Sequence, residues 1–141
     1  MGEHNIKGIG NSKNRAEFIE HLLNDIKALE FMLEKHLIEN DIIRIGSEQE
    51  FCLLTENWRP SKLSVEILEA INDPHFTTEL ARYNLEINLD PVTLKSNCFS
   101  SIEKQLKAFL NKAKIAAEKF NTKILLTGIL PTISKNELVF D

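Results

Sequence analysis

The chain has 141 residues, 43% of them apolar, with 17 basic and 21 acidic side chains and a formal net charge of −4. This is a globular composition, long enough for one domain with a single core. No basic stripe interleaves with aromatics, no apolar run approaches the ~18 residues of a membrane span, and the N-terminus lacks the charged-then-apolar order of a signal peptide; nucleic acid, a bilayer and secretion are therefore not expected.

Residues 1–13 are rich in Gly, Asn and Lys and are expected to form a flexible tail. Asn14 with Glu17 fits a capping box. Phe18, Leu22, Ile26, Leu29, Leu33 and Leu37 then recur at spacings of four and three, which predicts a long amphipathic helix to about Glu39 and a separate segment over 14–40. The spacing is heptad-like, so the helix either packs on a sheet or forms a seam with a second copy.

From Ile42 to Leu54 the chain reads as one strand. Ile43, Ile45, Phe51 and Leu53 share one parity; Arg44, Gly46, Glu48, Glu50 and Cys52 share the other. Residues 55–60 read as a turn, with Trp58 as its anchor. Ser61 or Ser64 can cap a short helix that Asn72-Asp73-Pro74 ends. A second extended segment runs from about Phe76 to Leu89, and Pro91 stops it. A long helix follows from about Phe99 to Phe120, with caps drawn from Ser96 to Ser101 and Asn121 closing it. Lys123 to Ile129 is an apolar strand, and Gly128 and Pro131 bracket a change of direction. The last four residues, Leu138-Val139-Phe140-Asp141, read as the start of a further extended segment, as in a truncated domain.

The acids carry the chemistry. Carboxylates are poor sheet formers, so their presence among β-branched and aromatic residues needs another reason. Glu48 and Glu50 are spaced i, i+2, which puts them on one face with Cβ atoms about 7 Å apart. Glu79 and Glu86 are seven residues apart with opposite parity, so they converge only if a bulge or loop intervenes near Ala81. Grouped carboxylates suit a hard divalent cation. Arg44, Arg59 and Arg82 are the basic residues near these motifs, and Arg82 is expected to pair structurally. Cys52 reads as a small buried residue. Cys98 lies near a helix start without a partner at fixed spacing, and the two cysteines form no disulfide framework, so a reducing cytoplasm is expected. His4, His21, His36 and His75 show no metal-binding spacing and read as solvated or locally capping.

Taken together, G-x-E-x-E-F at Gly46 to Phe51, a short helix, then Glu79 and Glu86 leading into L-E-I-N, a long helix, and an apolar strand ending in G-x-x-P at Gly128 to Pro131 resemble the N-terminal part of the bacterial glutamate–cysteine ligase family. The resemblance covers residues about 42–133. It implies an α+β fold with a curved, mainly antiparallel sheet and helices on one face, related to glutamine synthetase and here preceded by the N-terminal helix. It implies an ATP-dependent carboxylate–amine ligase that phosphorylates a glutamate-like carboxylate before an amine displaces the phosphate. Glu48, Glu50, Glu79 and Glu86 would be its magnesium ligands, with Glu50 and Glu86 deepest in the sheet concavity. Residues 41–141 would be the first portion of such a catalytic domain, inactive alone and without catalytic residues of its own. The Thr-His pair common in the last motif is replaced by Ile129-Leu130. The alternative expectation is a non-catalytic module that forms a homo-oligomer through the N-terminal helix and open sheet edges.

Overall fold

The computed structural model describes residues 12–137. Most of the expected tail and the apolar run 138–141 lie outside these residues. Two compact units divide at Ile43/Arg44. The first contains helix α1 (Ser12–Glu34), every residue of which is exposed. Asn14 lies inside this helix, so it does not act as an N-cap. α1 stops five residues before Glu39 because the chain makes a Schellman turn: the Leu37 amide donates to the Met32 carbonyl at 2.9 Å and the His36 amide to the Leu33 carbonyl at 3.1 Å. His36 takes the left-handed position there (φ 52), where glycine is the usual signal.

The second unit is α+β, with antiparallel sheets. Its elements in order are β1 (Arg44–Ile45), β2 (Glu48–Leu54), α2 (Ser64–Ile71), β3 (Phe76–Thr78), β4 (Asn84–Asn88), β5 (Val92–Thr93), α3 (Cys98–Glu118) and β6 (Lys123–Leu125). A four-stranded antiparallel sheet has the order β3-β4-β2-β6, and β1 pairs with β5 in a separate ribbon. The strand expected over 42–54 is thus two strands, broken at Gly46-Ser47. Ile45 pairs with Val92 and Glu48 with Asn88, so residues 46 and 47 face residues 89, 90 and 91. The extra residue is a bulge beside Pro91, which has no N–H to give to a ladder.

The expected strand from Phe76 to Leu89 is also two strands. Residues 79–83 turn the chain back, with the Asn84 amide donating to the Ala81 carbonyl at 2.8 Å, and β3 and β4 pair as a hairpin. Glu86 therefore sits on β4 and Glu79 at the start of the turn that leaves β3, instead of both along one strand.

The two faces of the sheet differ sharply. Phe51, Leu53, Leu85, Ile87 and Phe76 point to one side and form the core with Ile67 and Ile71 of α2 and Ala113, Ala116 and Ala117 of α3. The three alanines let α3 lie close to the strands. Each fully buried Phe, Leu or Ile contributes about 1.5–3 kcal/mol of transfer free energy, which makes this face the main source of stability. On the other side Cys52 and Leu54 are covered by Leu130, with Tyr83, Leu125 and Ile133 around them. The carboxylates lie on that same side, at the end away from this cover.

Neither candidate serine caps α2. Leu63 precedes the helix without a side-chain cap bond, and Ser61 Oγ instead meets Thr122 Oγ1 at 3.2 Å. Asn72 (φ 45) closes α2 in the left-handed region. Asn121 (φ 52) ends the turn after α3, where the Thr122 amide reaches the Ala117 carbonyl at 3.1 Å.

Candidate metal centre

Two neighbouring strands and the turn that follows a third build the site. On β2, Glu50 has the parity of Glu48 and Cys52, opposite to the core residues Phe51 and Leu53. The antiparallel register sets Glu86 of β4 directly beside Glu50, and Thr77 of β3 beside Glu86. Glu79 follows β3 two residues after Thr77 and keeps its side-chain direction. The hairpin thereby supplies the break near Ala81 that convergence requires. One carboxylate oxygen from each of Glu50, Glu79 and Glu86 lies within 4.8 Å of the other two.

Glu48 stands outside this trio. It pairs with Asn88, is exposed, and lines an open cavity of about 430 Å³ with Gly46, Ser47, Asn88, Leu89 and Pro91. The bulge opens that cavity at the edge of the cluster. Asn88 links the two places: its Nδ2 donates to Glu86 Oε1 at 2.9 Å. Asn88 was readable only as a polar residue in phase with Glu86, and parity alone does not single it out as a carboxylate-orienting group.

The electrostatics are those of crowded like charges. Glu86 is only 9% exposed. The Glu79 carboxyl is held above its ordinary range, first by burial, then by its hydrogen bond to Glu86 and the charges of Glu86 and Glu50. The Leu80 amide, 3.4 Å from Glu79 Oε2, works in the opposite direction. Asn84, in phase with Glu86 on β4, has a buried Oδ1 with no hydrogen-bond partner among the described residues. A buried acceptor without a donor is costly, and it adds a further oxygen to this face.

Oxygens on opposite sides of a Mg²⁺ are about 4.0–4.2 Å apart, and on a Ca²⁺ about 4.6–5.2 Å. The three oxygens lie within 4.8 Å of one another, close enough for one hard cation to be shared once the side chains close on it. Rotation of the exposed Glu50 side chain can supply that closure. The all-oxygen donor set suits Mg²⁺, Ca²⁺ or Mn²⁺ and disfavours soft metals.

The remaining candidates have structural roles. Arg59 is tied to Glu137, with Nε donating to Oε1 at 3.0 Å. Cys52 and Cys98 are buried, and the Cys52 thiol is pushed up by burial and by the Glu50 charge. Trp58 is exposed in a left-handed turn (φ 60), with Lys123 Nζ 4.7 Å from its ring centre and its carbonyl accepting from Thr132 Oγ1 at 2.9 Å.

His75 is neither solvated nor a simple cap. Its Nδ1 lies 2.7 Å from Asp73 Oδ1 and its Nε2 3.2 Å from Asp90 Oδ1, while its ring rests 4.5 Å from that of Phe109. Lys112 Nζ completes the group 2.7 Å from Asp73 Oδ2. A carboxylate beside each nitrogen raises the imidazole pKa above its ordinary value, first through Asp73 and then Asp90, which suits a brace between strand ends and α3.

No protein-family model, curated protein or solved structure matches the chain. Among the described residues no helix is long and apolar enough to cross a membrane.

Proposed function

We propose that the second unit is the metal-binding portion of an ATP- and Mg²⁺-dependent carboxylate–amine ligase of the glutamate–cysteine ligase type, with a partial glutamine-synthetase-like fold. The observation that carries this reading is the meeting of Glu50 of β2, Glu86 of β4 and Glu79 just after β3 on the sheet face opposite α2 and α3.

A divalent ion held there would neutralise and orient the phosphates of ATP, which is most of what phosphoryl transfer asks of a protein. Glu86 and Glu79 are the inner ligands in this reading, and Asn88 holds Glu86 in place. Glu50, more exposed, closes on the ion from β2. Glu48 faces the adjoining cavity and is assigned to a water-mediated or second ion contact. A glutamate-like carboxylate and an amine would be the co-substrates. With Arg59 committed to Glu137, the phosphate-binding cations of the ligase are assigned to other chain segments, and this unit is not expected to turn over alone.

Equilibrium dialysis with ATP tests the reading. ATP retained with Mn²⁺, released by EDTA, and lost in Glu50→Gln supports it. ATP bound equally in EDTA, or absent while Mn²⁺ saturates the protein, removes the ligase reading.

A further inference from the structure

We infer that α1 is a self-association element whose apolar face is covered by α1 of a second copy of this chain. Within α1, Ile19, Leu22, Ile26, Leu29 and Leu33 follow a strict three–four alternation, the a and d positions of a heptad seam. Isoleucine at two of the three a positions and leucine at both d positions is the pattern that favours two parallel strands. Phe18, Leu23 and Met32 flank the seam and widen it. Each of these eight side chains is left between 40% and 56% exposed.

A 23-residue helix with no buried residue lacks the tertiary packing that normally holds a helix in water. At roughly 100 Å² apiece, the eight apolar residues leave on the order of 800 Å² per copy, which is what each partner contributes to a standard stable interface. That also exceeds the few hundred Å² of contiguous apolar surface typical of a monomer.

The surface that matches a heptad stripe is another heptad stripe, and a two-fold pair satisfies both at once. The opposite side of α1 carries Glu20, Lys27 and Glu34, which remain in water in such a pair.

The test is sedimentation velocity of the full chain from low micromolar to sub-millimolar concentration. The expected result is a concentration-dependent shift from the chain mass to twice that mass. Ile26→Glu should return the species to the monomer, and Lys27→Glu, on the polar side, should leave the dimer within about threefold of wild-type affinity. A wild-type chain that stays monomeric overturns the inference. That holds whether hydrogen exchange finds α1 protected, and so covered by its own chain, or unprotected. A dimer that persists unchanged in Ile26→Glu overturns it as well.

Discussion

Glu79→Gln should make the metal-free protein more stable while destroying its response to divalent cations. Three carboxylate oxygens lie within 4.8 Å of one another. Two unit charges at that distance repel by about 0.9 kcal/mol at the dielectric of water and about 3.5 kcal/mol at an effective value of about 20. Glu50 is exposed, so the lower end applies, and removing the Glu79 charge from its two neighbours relieves ~1–2 kcal/mol. Glutamine keeps a hydrogen-bonding group for Glu86. The sign follows from the raised pKa of Glu79. Its contribution to stability is fully present below the unfolded carboxylate range near ~4.3 and is lost as pH rises through the higher folded value. The variant's advantage therefore grows towards neutral pH and vanishes in acid. For a chain of this size it amounts to a rise in Tm of ~3–8 °C in EDTA at pH 7. Adding Mn²⁺ to a hundred times its Kd should stabilise the wild type by about 2.7 kcal/mol and the variant by much less. Differential scanning calorimetry of both proteins with EDTA and with Mn²⁺ reads all four states. A lower Tm for the variant in EDTA, or an equal cation-induced rise in both proteins, refutes the reasoning.

Further outcomes follow from the packing. His75 has its pKa raised, first by Asp73 and then by Asp90, so its stabilisation is complete below ~6.5 and is lost as pH rises through the folded value. Asp73 is lowered, first by Lys112 and then by the His75 amide, so its stabilisation holds above ~3.9 and fades as pH falls. Urea denaturation between pH 6 and 9 should show stability declining with pH in the wild type and a flatter profile in His75→Gln; parallel profiles would show that the brace does not carry charge. Leu85→Ala, at a fully buried position beside Phe51, should cost about 2–5 kcal/mol by urea denaturation, and a loss below about 1 kcal/mol would mean that this face is not the main core. His36→Gly should relieve ~1 kcal/mol at the left-handed end of α1 and slow amide exchange in its last turn, whereas unchanged exchange would contradict the Schellman turn.

The sequence pattern carried the parity of β2 well. Alternation alone put Glu48, Glu50 and Cys52 opposite Phe51 and Leu53, because a strand with one buried face leaves a period-two record. It also located the long helix α3 and the asparagine that closes it. What it missed was long-range. The β3–β4 hairpin turns at Glu79 to Tyr83 without Gly, Pro or an Asn-Gly pair, so nothing local marks it, and the approach of Glu79 to Glu86 became visible only with the strand register. The bulge at Pro91 depends on which residues pair across it. His36 ends α1 without glycine. His75 looked isolated because Asp90, Phe109 and Lys112 reach it from later parts of the chain.

The claim on which the functional reading rests is that Glu50, Glu79 and Glu86 form one cation site and Glu48 stands beside it. Titration of the protein with Mn²⁺, read by the loss of the free-ion electron paramagnetic resonance signal, tests this directly. The account predicts saturable binding with the first ion held by the trio, at least ~10-fold weaker in Glu86→Gln and within about threefold of wild type in Glu48→Gln. Manganese that stays free at every protein concentration, or the same affinity in Glu86→Gln as in the wild type, would contradict it.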